Sequence, residues 1–342
     1  MDSSLFRSPS RPVLNRREAL QRLAGVTGAV ALGGGAFAAS SSAASAASAA
    51  SASSPLRGSC GENLEPGQDT VAVGKINDNL YVLSGVGGNI AVLAGKFSTL
   101  QVDSGNAGTT PAVLKAIQGF TEVPVSILIN THWHADHTGG NPDMAKQGSR
   151  IIAHTNTRKR LSTDQFVEAL NSKVPALPSY ALPVLTFDDK ITIYPEGEEL
   201  HLVYAPSAHT DTDIAIYFGK SNVLHTGDLF FNGMYPFIDS SSGGWIGGMV
   251  KAADRILAVV DDKTKIIPGH GPVGTRQQFK VYREMLVTVQ KRITPLVKSG
   301  KTADQVVAAK PLADLDDKWG KGFMKPDVFV KVVYGGIKKF GA

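Results

Sequence analysis

Cysteine is nearly absent from this chain: Cys60 is the only one in 342 residues. One thiol cannot build an internal disulfide framework, and a metal site made of thiolates alone needs several. Charge is scarce too, with 19% of residues charged against 42% hydrophobic. That balance is too apolar for a disordered chain and sufficient for a packed core. No Gly-x-Ser-x-Gly elbow is present for serine catalysis, and no internal repeat is evident. The formal net charge of +5 is concentrated at one end. Residues 1–39 carry Arg7, Arg11, Arg16, Arg17 and Arg22 against Asp2 and Glu18, and the remainder holds 30 basic and 28 acidic residues. A nearly neutral body lacks the electrostatic footprint that nucleic acid requires, so no nucleic-acid partner is expected.

What is present begins with an address. Arg16-Arg17 precedes an uncharged stretch over 23–39, and Ala36-Phe37-Ala38 offers a small-x-small cleavage site. The arginine pair with Leu20 resembles a twin-arginine export signal. This implies the twin-arginine translocation machinery as a partner and a periplasmic or secreted destination. Five glycines among the alanines make the stretch weakly hydrophobic, so no stable membrane insertion is expected. Residues 40–68 are rich in Ser and Ala and read as a flexible linker, with Cys60 as a plain free thiol.

From residue 70 the pattern changes to short apolar runs. Strands are expected at 71–76, 80–83, 90–94 and 99–102, spaced closely enough for antiparallel hairpins. A helix is expected at 111–117 with Thr109 or Thr110 as its cap. The continuous apolar run 125–130 fits a strand buried on both faces. Further strands are expected at 151–153, 190–194, 199–205, 213–218, 223–225 and 265–267. Helices are expected at 155–170, 245–260 and 277–297, and residues 172–183, with three prolines, read as a surface loop. Such mixing predicts a layered α/β or α+β domain over 69–300, with a helical extension over 301–342.

The chemistry concentrates in Thr131-His132-Trp133-His134-Ala135-Asp136-His137, directly after the 125–130 strand. Imidazole nitrogen and carboxylate oxygen are donors that zinc accepts, about four to an ion. In extended chain His132 and His134 point to one face. A turn at Ala135 then swings Asp136 and His137 toward a second ion. Further donors stand in loops after apolar strands: His209, Asp228 and His270. His225 lies close enough in sequence to orient Asp228.

His-x-His-x-Asp-His, followed by separate His, Asp and His positions, resembles the metallo-β-lactamase superfamily over roughly 70–280. The resemblance implies a four-layer αβ/βα sandwich with its site at one edge. It implies that His132, His134 and His209 hold one metal, that Asp136, His137 and His270 hold a second, and that Asp228 bridges them. It also implies that Asp103 supports the site from behind by a hydrogen bond to a ligand histidine. No cysteine lies near Asp228, unlike the β-lactamase branch with a Cys ligand.

The expected activity is hydrolysis of a small acyl substrate, an ester, lactone, β-lactam or thioester, by water activated between two Zn2+ ions, with Asp136 as the catalytic carboxylate. The donor set also accepts manganese or iron. A mononuclear iron sulfur dioxygenase and a non-hydrolytic metal-binding or redox-relay protein are the alternatives. The Ser84–Gly88 segment reads as a mobile flap, and Trp133, Phe231 and Tyr235 as pocket aromatics, with Tyr235 a candidate oxyanion donor.

Overall fold

The computed structural model describes residues 71–341. The export-signal and linker segments, with Cys60, lie outside the described residues. Among those described, no helix is long and apolar enough to cross a membrane.

Among the described residues, fifteen strands form. The first sheet has the order β1–β2–β3–β4–β5–β6–β9, built from β1 (Ala72–Lys75), β2 (Leu80–Ser84), β3 (Ile90–Ala94), β4 (Thr99–Val102), β5 (Val125–Ile129), β6 (Arg150–His154) and β9 (Leu185–Phe187). Its first four strands pair antiparallel, and β4, β5, β6 and β9 pair parallel. The second sheet has the order β10–β11–β12–β13–β14–β15: β10 (Lys190–Ile193), β11 (Leu200–Tyr204), β12 (Ile214–Phe218), β13 (Val223–His225), β14 (Lys265–Ile267) and β15 (Gly274–Thr275). Only β13 and β14 pair parallel in it. β7 (Gln165–Val167) and β8 (Ser172–Val174) make a separate hairpin. The helices are α1 (Thr110–Gln118), α2 (Ala135–Thr138), α3 (Asn141–Lys146), α4 (Thr155–Leu161), α5 (Ile246–Leu257), α6 (Arg276–Lys298), α7 (Ala303–Ala308), α8 (Ala313–Trp319) and α9 (Pro326–Phe340).

Strand side chains alternate between faces, and this alternation sorts the core. Leu80, Leu93, Leu100 and Ile129 of the first sheet meet Leu202, Ile216, Phe218 and Ile267 of the second in one buried cluster, so the sheets pack face to face. The alternate residues of the first sheet, such as Ile90, Val92 and Leu128, turn onto Val113 and Ile117 of α1. Those of the second, Val203, Ala215, Leu224 and Ile266, turn onto Met249 and Ile256 of α5 and Leu286 of α6. The result is helix, sheet, sheet, helix: the four-layer αβ/βα sandwich.

Local departures have local causes. The helix expected over 155–170 ends at Leu161. Asp164 accepts the Ala176 N–H at 2.9 Å, and Asn171 takes the left-handed turn conformation (φ 47°) that folds β7 back on β8. Part of the segment expected as loop over 172–183 is therefore strand. Thr109 precedes α1 without capping it, because its hydroxyl donates to the Asn106 carbonyl at 2.7 Å. β9 and β15 were not expected. Each is three residues or fewer and shows no period of its own.

Candidate metal centre

Each expected donor follows the carboxyl end of a strand: Asp103 after β4, the 132–137 segment after β5, His209 after β11, Asp228 after β13 and His270 after β14. His134 remains extended (φ −61°, ψ 149°), and α2 begins at Ala135 and carries Asp136 and His137 round the turn. Donor atoms of His132, His134, His209 and Asp228 lie within 4.8 Å of one another, as do those of Asp136, His137 and His270.

Asp228 stands between the two sets. Its Oδ2 is 3.3 Å from His209 Nε2 and 3.8 Å from His132 Nε2. Its Oδ1 is 3.2 Å from His137 Nε2 and 3.5 Å from His270 Nε2. Asp136 Oδ2 lies 3.2 Å from His270 Nε2, and its side chain is one of the more open in the cluster at 35% exposure.

For His132, His134, His137 and His209, outer partners fix which ring nitrogen donates outward. His137 Nδ1 lies 2.7 Å from Asp103 Oδ2, so Nδ1 donates there and Nε2 turns inward. Asp103 also accepts the Thr131 N–H and Oγ1–H, each at 2.7 Å. With its hydrogen committed there, Thr131 Oγ1 accepts from His132 Nδ1 at 3.0 Å, leaving His132 Nε2 inward. His209 Nδ1 donates to the Phe237 carbonyl at 2.8 Å. His134 Nε2 donates to Asp239 Oδ2 at 3.1 Å, so this ring alone presents Nδ1 to the centre.

These constraints test whether a cation fits. His134 Nδ1 and His209 Nε2 face each other at 2.9 Å, both with their hydrogens placed on the far side. Buried His132 Nε2 and Asp228 Oδ1 have no hydrogen-bond partner. Lone pairs aimed at one another in a buried site need a positive charge between them. Nitrogen and carboxylate donors without sulfur suit a borderline divalent ion. The residues fit the metal that their spacing suggests.

Charge supports the same reading. Burial alone would raise the Asp228 carboxyl, but His270, His137, His209 and His132 outweigh it and hold it well below the usual carboxylate range. Burial likewise opposes ionisation of Asp136, and His137 and His270 overcome it. Burial lowers His132, with His137 adding to the effect.

Two glycines are required by close approach. A Cβ on Gly88 would lie 2.1 Å from His137 Cε1. Gly227 takes φ +49° before Asp228, and a Cβ there would lie 2.7 Å from Thr131 Oγ1.

Several expected residues act otherwise than expected. His225 does not reach Asp228: its Nδ1 accepts the Gly227 N–H at 3.1 Å and its Nε2 donates to the Asn89 carbonyl at 3.1 Å, so it braces the turn before Asp228. Tyr235 is no oxyanion donor. It is buried, its hydroxyl donates to Asp316 at 2.9 Å, and its ring stacks on Phe329 at 4.3 Å. Trp133 is buried beside His134, with its ring centroid at 4.7 Å, and forms no open pocket wall. Phe231 is also buried and stacks on His270 at 5.2 Å. The Ser84–Gly88 loop is pinned: Gly88 N–H donates to the Asp136 carbonyl at 3.0 Å, Asn106 N–H to the Val86 carbonyl at 2.7 Å and Asn89 N–H to the Gly269 carbonyl at 2.8 Å. Asp239, Thr131 and the Phe237 carbonyl escaped sequence reasoning. For Thr131, its place inside the motif was a usable signal.

Known proteins resemble this chain across most of the described residues. The 2,4-dinitroanisole O-demethylase subunit alpha of Nocardioides sp. (strain JS1661) is 24% identical over 263 residues, covering 75% of this chain and 73% of its own. Hydroxyacylglutathione hydrolase of Polaromonas sp. (strain JS666 / ATCC BAA-500) is 26% identical over 186 residues, covering 54% of this chain and 62% of its own. Among solved structures, a metallo-β-lactamase from Pontibacter korlensis superposes with a TM-score of 0.53 at 21% identity, covering 64% of this chain and 99% of its own. The inverting sec-alkylsulfatase Pisa1 from Pseudomonas sp. superposes with a TM-score of 0.58 at 16% identity, covering 79% of this chain and 50% of its own. These superpositions speak to the fold. Residues 84–270, more than half of the chain, match the family model described as the metallo-β-lactamase superfamily, and the chain belongs to that superfamily.

Proposed function

We propose that this protein is a metal-dependent hydrolase with a dinuclear zinc centre, acting on a small acyl substrate such as an ester, lactone, β-lactam or thioester. The observation that carries the reading is the disposition of Asp228, with one oxygen toward each donor set. His132, His134 and His209 would hold one ion and Asp136, His137 and His270 the other, with Asp228 shared.

When bound, such ions supply an activated water and polarise the carbonyl under attack. The protein supplies the rest. Asp136, the partly exposed carboxylate, accepts a hydrogen bond from the attacking water and takes its proton. Asp103 and Asp239 hold the ligand rings in one tautomer, so the centre does not have to reorganise during the reaction. Buried Phe231 and Trp133 pack against the histidines and keep water from behind them. The N-terminal arginine pair supports export by the twin-arginine route to the periplasm or beyond.

The test removes the metal with a chelator and restores zinc, manganese or iron. Turnover is then measured on an ester, a lactone, a thioester, a β-lactam and an activated aryl methyl ether, the last because of the O-demethylase relative. Hydrolysis of an acyl substrate that is lost on chelation and regained with zinc is expected. Activity restored by iron alone and only with dioxygen would replace this reading with an oxygenase.

A further inference from the structure

Residues 302–341 lie beyond the family-matched span, which ends at residue 270. They fold as α7, α8 and α9 and pack on the loop that follows Asp228. The Tyr235 N–H donates to the Trp319 carbonyl at 2.8 Å, at the end of α8. The Tyr235 hydroxyl donates to Asp316 of the same helix at 2.9 Å, and its ring stacks on Phe329 of α9. Further along, Lys339 of α9 donates to the Ser240 carbonyl at 2.9 Å. The C-terminal helices thus grip residues 235–240 at both ends.

Between those grips lie the outer partners of two histidines. The Phe237 carbonyl accepts from His209 Nδ1, and Asp239 Oδ2 accepts from His134 Nε2. Pro236, between Tyr235 and Phe237, has a fixed φ and passes the constraint along with little slack. Asp239 is itself held. Its Oδ1 accepts from the Ser241 N–H at 3.0 Å and from the Ser241 hydroxyl, and its Oδ2 accepts from the Ser242 hydroxyl at 2.6 Å. The Asp239 N–H donates to the His209 carbonyl at 2.9 Å, closing the cradle on the same histidine.

We infer that the C-terminal helices are a working part of the metal centre: through Tyr235 and Ser240 they fix the 235–242 segment, whose Phe237 carbonyl and Asp239 carboxylate set the tautomers of His209 and His134. Asp239, Tyr235 and Asp316 are positioning residues for one half of the centre. The other half, Asp136, His137 and His270, is held by Asp103 and the Gly88 loop and does not depend on them. The inference rests on the dinuclear reading above.

The test titrates zinc into the metal-free full-length protein, wild type and variants, by calorimetry. In parallel, long-range 1H–15N spectra of the histidine rings are recorded without metal. Asp239→Ala should weaken one of the two zinc sites by about 10- to 100-fold and leave the other unchanged. Tyr235→Phe and Asp316→Ala, which keep the Asp239 carboxylate, should weaken the same site by about fivefold, the worth of one hydrogen bond. They should also broaden the His134 Nε2–H and His209 Nδ1–H signals. If Asp239→Ala fails to fold, the Tyr235→Phe result decides alone. Lower melting temperatures for Tyr235→Phe and Asp316→Ala with both zinc affinities and both ring signals intact would overturn the inference and leave the extension as mere stabilisation. A wild-type chain that takes up no zinc would instead defeat the dinuclear reading on which the inference rests.

Discussion

Replacing Gly88 with alanine adds one methyl group, and the structure specifies where it goes. The new Cβ would stand 2.1 Å from His137 Cε1 and 2.5 Å from its Nε2, where ordinary contact begins at 3.4 Å. The His137 ring must therefore retreat by roughly an ångström, and nothing around it yields easily. It is fully buried, and its Nδ1 is held by Asp103 at 2.7 Å. The Gly88 side is tied as well, by the Gly88 N–H bond to the Asp136 carbonyl at 3.0 Å. Overpacking of this kind costs about 1–3 kcal/mol, and a stretched bond to a buried carboxylate adds about 1.5–3 kcal/mol. The expected result is a folded protein with a lower melting temperature whose second zinc site is weakened by about 100-fold, while the His132, His134 and His209 site keeps its affinity. Differential scanning calorimetry and zinc titration read both effects. A Gly88→Ala protein that melts like the wild type and binds both ions normally would refute the steric argument.

Other outcomes follow from the same geometry. Asp103→Asn places an amide where the carboxylate accepts from Thr131 and His137, so one donor meets another; zinc affinity should fall about 10- to 100-fold, with a loss of stability, by titration and thermal melting. Asp136→Ala should reduce turnover far more than it reduces occupancy of the His132, His134 and His209 site, measured by steady-state kinetics beside metal analysis. Metal uptake should release protons near neutral pH. Burial alone would lower His270, but Asp228 and Asp136 outweigh it and raise it to about 9 in the metal-free protein, so the ring is protonated at pH 7.5 and must lose that proton to bind. Zinc affinity should therefore rise with pH from neutral through about 9, with proton release read by calorimetry in buffers of different ionisation enthalpy, and a pH-independent affinity would contradict this.

The fold was legible where one strand face or one helix face set the pattern. The runs around Ile90–Ala94, Val125–Ile129 and Ile214–Phe218 are strands because burial demands it, and their lengths were readable. The 132–137 segment was legible because its donors are local. His209, Asp228 and His270 could be picked out because each follows an apolar strand. What supports them was hidden. Asp239 lies 105 residues from the ring it holds, inside a serine-rich turn that resembles any other surface turn. Tyr235 reads as a pocket aromatic in the sequence and is a core residue in the fold, because its partner Asp316 lies 81 residues away on a helix that the family pattern does not include. The hairpin at β7 and β8 escaped for a different reason: Gln165–Val167 and Ser172–Val174 are three residues each, too short to show a period of two against a helical background.

The central claim, two ions shared through Asp228, is tested most directly by counting transition-metal ions per chain in the natively purified protein and in Asp228→Ala. Two ions are expected in the wild type, with a marked loss from both sites in the variant. A wild-type chain that carries no transition metal yet turns over substrate at full rate would contradict it.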